Sequence, residues 1–125
     1  MTPRIEDYAL LGDTHTAALV SNQGSIDWLC FPRFDSAATF AALVGDEENG
    51  RWQIAPEGQV SASSRRYRGD TLVLETDFET TEGSIRLVDF MPARGEAAEV
   101  VRLVEGVRGR VRVQMELKAR FDYGR

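Results

Sequence analysis

Thr16-Ala17-Ala18-Leu19-Val20-Ser21 runs into Asn22-Gln23-Gly24-Ser25 and then into Ile26-Asp27-Trp28-Leu29-Cys30-Phe31. Two apolar runs around a short glycine-containing segment predict a β-hairpin. With Gln23 and Gly24 as the loop, Leu19 faces Trp28 and Ala18 faces Leu29. Side chains alternate between the faces of a strand. One face then carries Ala17, Leu19, Ile26, Trp28 and Cys30, and the other carries Ala18, Val20, Leu29 and Phe31. Both are apolar, whereas a hairpin on the outside of a sheet shows one polar face. The hairpin is therefore expected to be covered on both sides.

Outward from it, Pro32-Arg33-Phe34 ends the strand, because proline cannot donate to a ladder. Asp35 or Ser36 suits a helix N-cap, and Ala37, Phe40, Leu43 and Val44 follow at helical spacing, so a short helix is expected over residues 37–44. Strand-like segments follow at 50–54 and 60–67. The next hairpin joins residues 71–80 to 84–91. A Glu82-Gly83 loop there sets Phe78 opposite Leu87, Leu74 opposite Met91 and Glu79 opposite Arg86, so hydrophobic and charge patterns select one register. Residues 99–105 and 110–121 read as a last pair, Leu103 against Val113 and Val101 against Met115. That pairing needs one extra residue near Gly106 or Gly109. About seven strands, joined by hairpins and without a βαβ rhythm, predict an all-β antiparallel sandwich occupying residues 1–125 as one domain.

Composition narrows the function. The formal charge of −5 over 125 residues argues against nucleic-acid and anionic-membrane partners. Within that acidic chain, Arg65-Arg66-Tyr67-Arg68 reads as a solvated strand edge, since charged edges discourage edge-to-edge pairing. Cys30 is the single cysteine and His15 the single histidine, so neither a disulfide nor a metal cluster is expected. Gly106, Gly109 and Gly124 stand in no strand-to-helix unit and so form no phosphate loop, and no cofactor is expected. The start has no basic segment followed by an apolar run, and no stretch reaches the roughly 18 apolar residues of a membrane span. A cytoplasmic location is the expectation.

Several stretches resemble the start of bacterial and archaeal hydrolases of glycoside hydrolase family 15, the trehalase-like and glucoamylase-like enzymes. They are Ile5-Glu6-Asp7-Tyr8-Ala9-Leu10-Leu11-Gly12-Asp13, Gly24-Ser25-Ile26-Asp27-Trp28-Leu29-Cys30, and Pro32-Arg33-Phe34-Asp35-Ser36. Arg66-Tyr67-Arg68-Gly69-Asp70-Thr71, Val88-Asp89-Phe90-Met91-Pro92 and Arg120-Phe121-Asp122-Tyr123-Gly124 are similar too, so the likeness spans essentially the whole chain. Thr14-His15 departs from the pattern, where relatives more often carry arginine second. The resemblance implies an N-terminal "supersandwich" packed on a downstream (α/α)6 barrel, which supplies both catalytic glutamates for inverting hydrolysis of an α-glucosidic bond. That barrel is not in this sequence. The resemblance also implies that the sandwich is incomplete here, since the family's N-terminal domain is usually about twice this long. Residues 120–125, which still alternate without a cap or polar tail, read as a cut.

Glycoside hydrolysis needs two carboxyl groups, roughly 6.5–9.5 Å apart for inversion. No run in this chain selects such a pair, so no catalytic residue is assigned. Asp27 stands out as a charge inside an apolar hairpin, where an unpaired carboxylate is costly. It is held either by an internal partner such as Arg33 or Thr16, or it joins Trp28, Arg33, Phe34 and Asp35 in a surface facing the barrel and the mouth of its substrate pocket. The leading expectation is a structural and docking domain, inactive alone and prone to self-association through exposed strands. The alternative is a free-standing carbohydrate-binding sandwich, which needs an exposed aromatic platform. Trp28 and Trp52 both lie in patterned strands and do not offer one.

Overall fold

The computed structural model describes residues 5–13, 16–30, 38–40, 50–92 and 99–118. A 3-10 turn, Ile5–Asp7, precedes strands β1 (Tyr8–Gly12), β2 (Ala17–Ser21), β3 (Ser25–Cys30), β4 (Ala38–Phe40) and β5 (Arg51–Pro56). They are followed by β6 (Ala62–Tyr67), β7 (Leu74–Glu79), β8 (Gly83–Phe90), β9 (Val101–Gly109) and β10 (Val113–Lys118). One sheet has the order β1-β2-β3-β5-β10, with β4 on β3, and the other has the order β6-β7-β8-β9. Every ladder is antiparallel. The expected all-β sandwich is what forms.

The core lies between the sheets. Leu11, Ala18, Val20, Ile26 and Leu29 of the first sheet meet Leu74 and Met91 of the second. Ile54 meets Phe78, Ile85 and Leu87 in an adjoining cluster, and Trp52 packs against both. Burying each such aliphatic or aromatic side chain stabilises by about 1.5–3 kcal/mol.

The β2–β3 hairpin keeps the expected Ala18–Leu29 and Leu19–Trp28 pairs but reaches them differently. Its loop is three residues, Asn22-Gln23-Gly24, with Gly24 left-handed at φ 76°. Val20 then opposes Ile26, so a β-bulge at Asp27 restores the register. The bulge moves Ile26 onto the core face beside Ala18 and Val20, all wholly buried, and off the face of Trp28. Ala17, Leu19 and Trp28 on the opposite face are only half-buried, so the expected two-sided cover is partial.

The β7–β8 loop is Thr81-Glu82, not Glu82-Gly83, and Thr80 N–H donates to Gly83 O at 2.8 Å across it. Phe78 therefore opposes Ile85, and Asp77, not Glu79, opposes Arg86. The change keeps the parity of the pairing, so the assignment of faces stands. Gly83 is needed for a close approach, because a Cβ there would lie 2.2 Å from Arg108 O in β9. Thr80 Oγ1 accepts from the N–H groups of Glu82 and Gly83 and shapes the turn.

Two further expectations are corrected. β9 and β10 do not pair: β9 joins β8 and β10 joins β5, in different sheets. The one-residue irregularity near Gly106 exists, but in the β8 ladder, where Ile85 opposes Gly106 and Ser84 opposes Arg108. In place of the expected helix over 37–44, Ala38–Phe40 is a strand, with Phe40 opposite Leu29 and Ala38 opposite Cys30. The open edge of β3 offers hydrogen bonds that a short helix cannot use, and tertiary pairing overrides the local spacing. Residues 41–44 lie outside the described residues.

Candidate functional site

Asp27 is buried at the bulge, and its carboxylate accepts two short hydrogen bonds. Tyr8 Oη donates at 2.6 Å and Ser25 Oγ at 2.5 Å. Of the two partners expected for it, Thr16 donates its N–H to Asp13 Oδ1 at 2.9 Å, closing the β1–β2 turn, and Arg33 lies outside the described residues. Burial and the Asp27 carboxylate raise the Tyr8 hydroxyl well above the usual phenol range, so Tyr8 is a permanent donor. Trp28, next in the strand, is half-buried opposite Leu19. Arg33, Phe34 and Asp35 lie outside the described residues, as does His15, so of the five expected site residues only Asp27 and Trp28 are placed.

The strongest polar feature was not anticipated. Arg102 on β9 and Asp89 on β8 face each other with side chains wholly out of solvent, Nε to Oδ1 at 2.7 Å. Arg102 Nη1 also donates to Trp52 O at 2.6 Å, and Nη2 donates to Gly24 O at 2.7 Å. The guanidinium carbon sits 5.1 Å from the Trp52 ring centroid, within cation–π range. One side chain thus binds a carboxylate in its own sheet and two carbonyls in the opposite one. Burial raises the Asp89 carboxyl, opposed by Arg102. A signal for it was present in the sequence: Asp89 falls in phase with Ile85, Leu87 and Met91, and a carboxylate on an apolar face demands a buried cation.

Gly24 belongs to the same assembly. Its carbonyl accepts from Ile54 N–H at 3.0 Å as well as from Arg102, and a Cβ would lie 2.2 Å from Ile54 O. The first stretch of Gly24-Ser25-Ile26-Asp27-Trp28 therefore holds the hairpin tip against β5 and β9, which is structural work.

Two of the three arginines in the basic stretch at β6 are paired with carboxylates, and the third, Arg65, donates to Val20 O at 3.1 Å. Arg66 pairs with Glu75 and Asp77, Arg68 with Glu75, and Arg86 with Asp77. Hydrogen bonds from Arg68 and Arg86 hold the Glu75 and Asp77 carboxyls below the usual range. β6 is the edge strand expected from its charge. Among the described residues there is no group of three His, Cys, Asp or Glu side chains arranged to hold a metal ion. No described helix is long and apolar enough to cross a membrane.

Two antiparallel sheets locked by a buried Arg–Asp brace, with carboxylates engaged in holding strands together, define a β-sandwich module whose polar residues serve architecture. The model of the trehalase-like N-terminal family matches residues 1–125, and the chain belongs to that family. It is 33% identical to a trehalase of Mycobacterium tuberculosis over 98% of this chain and 21% of that protein. It is 33% identical to a trehalase of Thermoplasma volcanium over 98% of this chain and 20% of that protein. With trehalase 1 of Sulfolobus acidocaldarius it shares 37% identity over 91% of this chain and 19% of that one. The chain spans about a fifth of the length of these relatives. No solved structure matches it significantly.

Proposed function

We propose that this chain is the non-catalytic N-terminal structural and docking domain of a cytoplasmic, inverting α-glucoside hydrolase of glycoside hydrolase family 15, trehalase-like or glucoamylase-like. The helical barrel that performs the hydrolysis follows in the same polypeptide. The observation that carries this reading is the match of the whole chain to an N-terminal trehalase family together with its coverage of only a fifth of each relative. The buried, hydrogen-bonded state of Asp27 supports an architectural role for the motif that identifies the family.

The pure chain is expected to hydrolyse neither trehalose nor maltose, and a polypeptide of the relatives' length is expected to hydrolyse an α-glucoside. Turnover by the 125-residue chain would sink the proposal. Calorimetric titration with trehalose, maltose and dextran separates it from a free-standing sugar-binding module, since docking predicts negligible binding. Replacing Arg33 by alanine in the long polypeptide tests the surface of Asp27, Trp28, Arg33, Phe34 and Asp35. Unchanged activity and stability would remove that surface from the barrel interface.

A further inference from the structure

The stretch Arg65-Arg66-Tyr67-Arg68 divides its work between the two faces of β6. Arg66, and Arg68 just beyond the strand, turn outward to Glu75 and Asp77. Arg65 and Tyr67 have the opposite parity and reach across to the facing sheet. Arg65 donates to Val20 O, while Tyr67 Oη accepts from Leu10 N–H and donates to Leu10 O, both at 2.9 Å.

The Leu10 contact is of a particular kind. β1 ends its sheet, and Leu10 is the middle of its five residues, opposite Leu19 of β2. Both main-chain groups of Leu10 meet one hydroxyl, so both point away from β2, to the side where another strand would pair. In an antiparallel ladder a hydrogen-bonded residue exchanges N–H and C=O with a single partner residue. Tyr67 Oη makes that same pair of bonds with one atom. The edge is apolar as well. Leu10 is 45% and Leu72 44% exposed, and a Cβ on Gly12 would lie 3.7 Å from Leu72 Cδ1. Such an edge, with N–H and C=O groups directed outward, is a template for another chain.

We propose that Tyr67 guards this edge: its hydroxyl fills the place of a strand residue at Leu10 and keeps β1 from pairing with β1 of a second copy. The geometry selects a second copy as the occupant. Turned antiparallel about a two-fold axis at Leu10, two β1 strands match Tyr8 with Gly12 and Leu10 with itself. That is the isologous arrangement of a symmetric dimer. Its central pair of bonds needs the two Leu10 groups that Tyr67 holds. The charges of Arg66 and Arg68 protect β6, so one stretch closes both strand edges of this flank.

Tyr67→Phe keeps the ring and removes both bonds. Residue-resolved amide exchange in dilute solution should show Leu10 exchanging about tenfold faster than in the parent, with the Leu87 amide unchanged. At raised concentration the Leu10 amide of this variant should slow again. Tyr67→Ala also vacates the space of the ring and should sediment as a concentration-dependent dimer. Adding Leu10→Pro, tolerated at an edge whose N–H meets no strand, should return it to the monomer. The parent carries every other surface unchanged, so any association that it shows is the baseline. A merely structural tyrosine would lose stability without gaining a dimer. Three results overturn the proposal: Leu10 exchange in Tyr67→Phe that matches the parent or ignores concentration, a folded Tyr67→Ala that associates no more than the parent, or association that Leu10→Pro leaves intact.

Discussion

Arg102 binds Asp89 in its own sheet and, through its other nitrogens, the carbonyls of Trp52 and Gly24 in the facing sheet, with no exposure of either charged side chain. A sandwich normally joins its sheets by apolar packing. Here a charged fork does part of that work.

Arg102→Ala should lower stability by about 3–5 kcal/mol, because it strands the Asp89 carboxylate in the interior. Arg102→Leu combined with Asp89→Leu should be less damaging than Arg102→Ala, since no charge is then left buried. Urea unfolding of the three proteins measures this. A double variant weaker than the single one would show that the carbonyl contacts, not the charges, dominate.

Tyr8→Phe should cost about 1–2 kcal/mol, since Asp27 loses one of its two described donors while remaining buried. In a double-mutant cycle with Asp27→Ala, the loss from Tyr8→Phe should largely vanish. Additive losses would mean the two side chains are not coupled in solution.

Glycine replacements should divide by position. Gly24→Ala places a Cβ 2.2 Å from Ile54 O at a φ of 76°, and is expected to destabilise by several kcal/mol, or about 3. Gly58→Ala meets nothing within 4 Å and should change stability by less than about 1 kcal/mol. Thermal melts of both variants check the contrast.

Acid should weaken the outer face of the second sheet. The Asp77 and Glu75 carboxyls are held below their ordinary range by hydrogen bonds from Arg86 and Arg68. Their contribution is therefore present above the unfolded carboxylate range and is lost as pH falls through the depressed values. Asp89 acts with the opposite sign, because burial raises it and its contribution declines as pH rises through the raised value. Asp77→Asn should flatten the fall in stability below about pH 4, by no more than about 1 kcal/mol for a partly solvated pair. Unfolding curves at successive pH values for the parent and Asp77→Asn test this.

Much of the architecture was legible in the chain. Period-2 alternation and glycine-centred turns identified the strands that became β2, β3, β7 and β8, and the charge of 65–68 identified an edge. Register was less legible. Gly83 reads as a turn residue, whereas its bare Cα is required by Arg108 in a strand far along the chain. Local pattern cannot reveal a neighbour contributed by a distant segment. The same limit explains Ala38–Phe40, whose helical spacing yields to the open edge of β3.

The sequence by itself determined the β-rich sandwich and the family, because alternation and the Gly24–Trp28 stretch are local properties of the chain. Only the tertiary structure decided that β9 and β10 part into different sheets, that Asp27 takes Tyr8 and Ser25, and that Arg102 bridges the layers. Each of those outcomes depends on which buried polar group finds a partner across a long separation. That matching is settled only when the sheets close on one another.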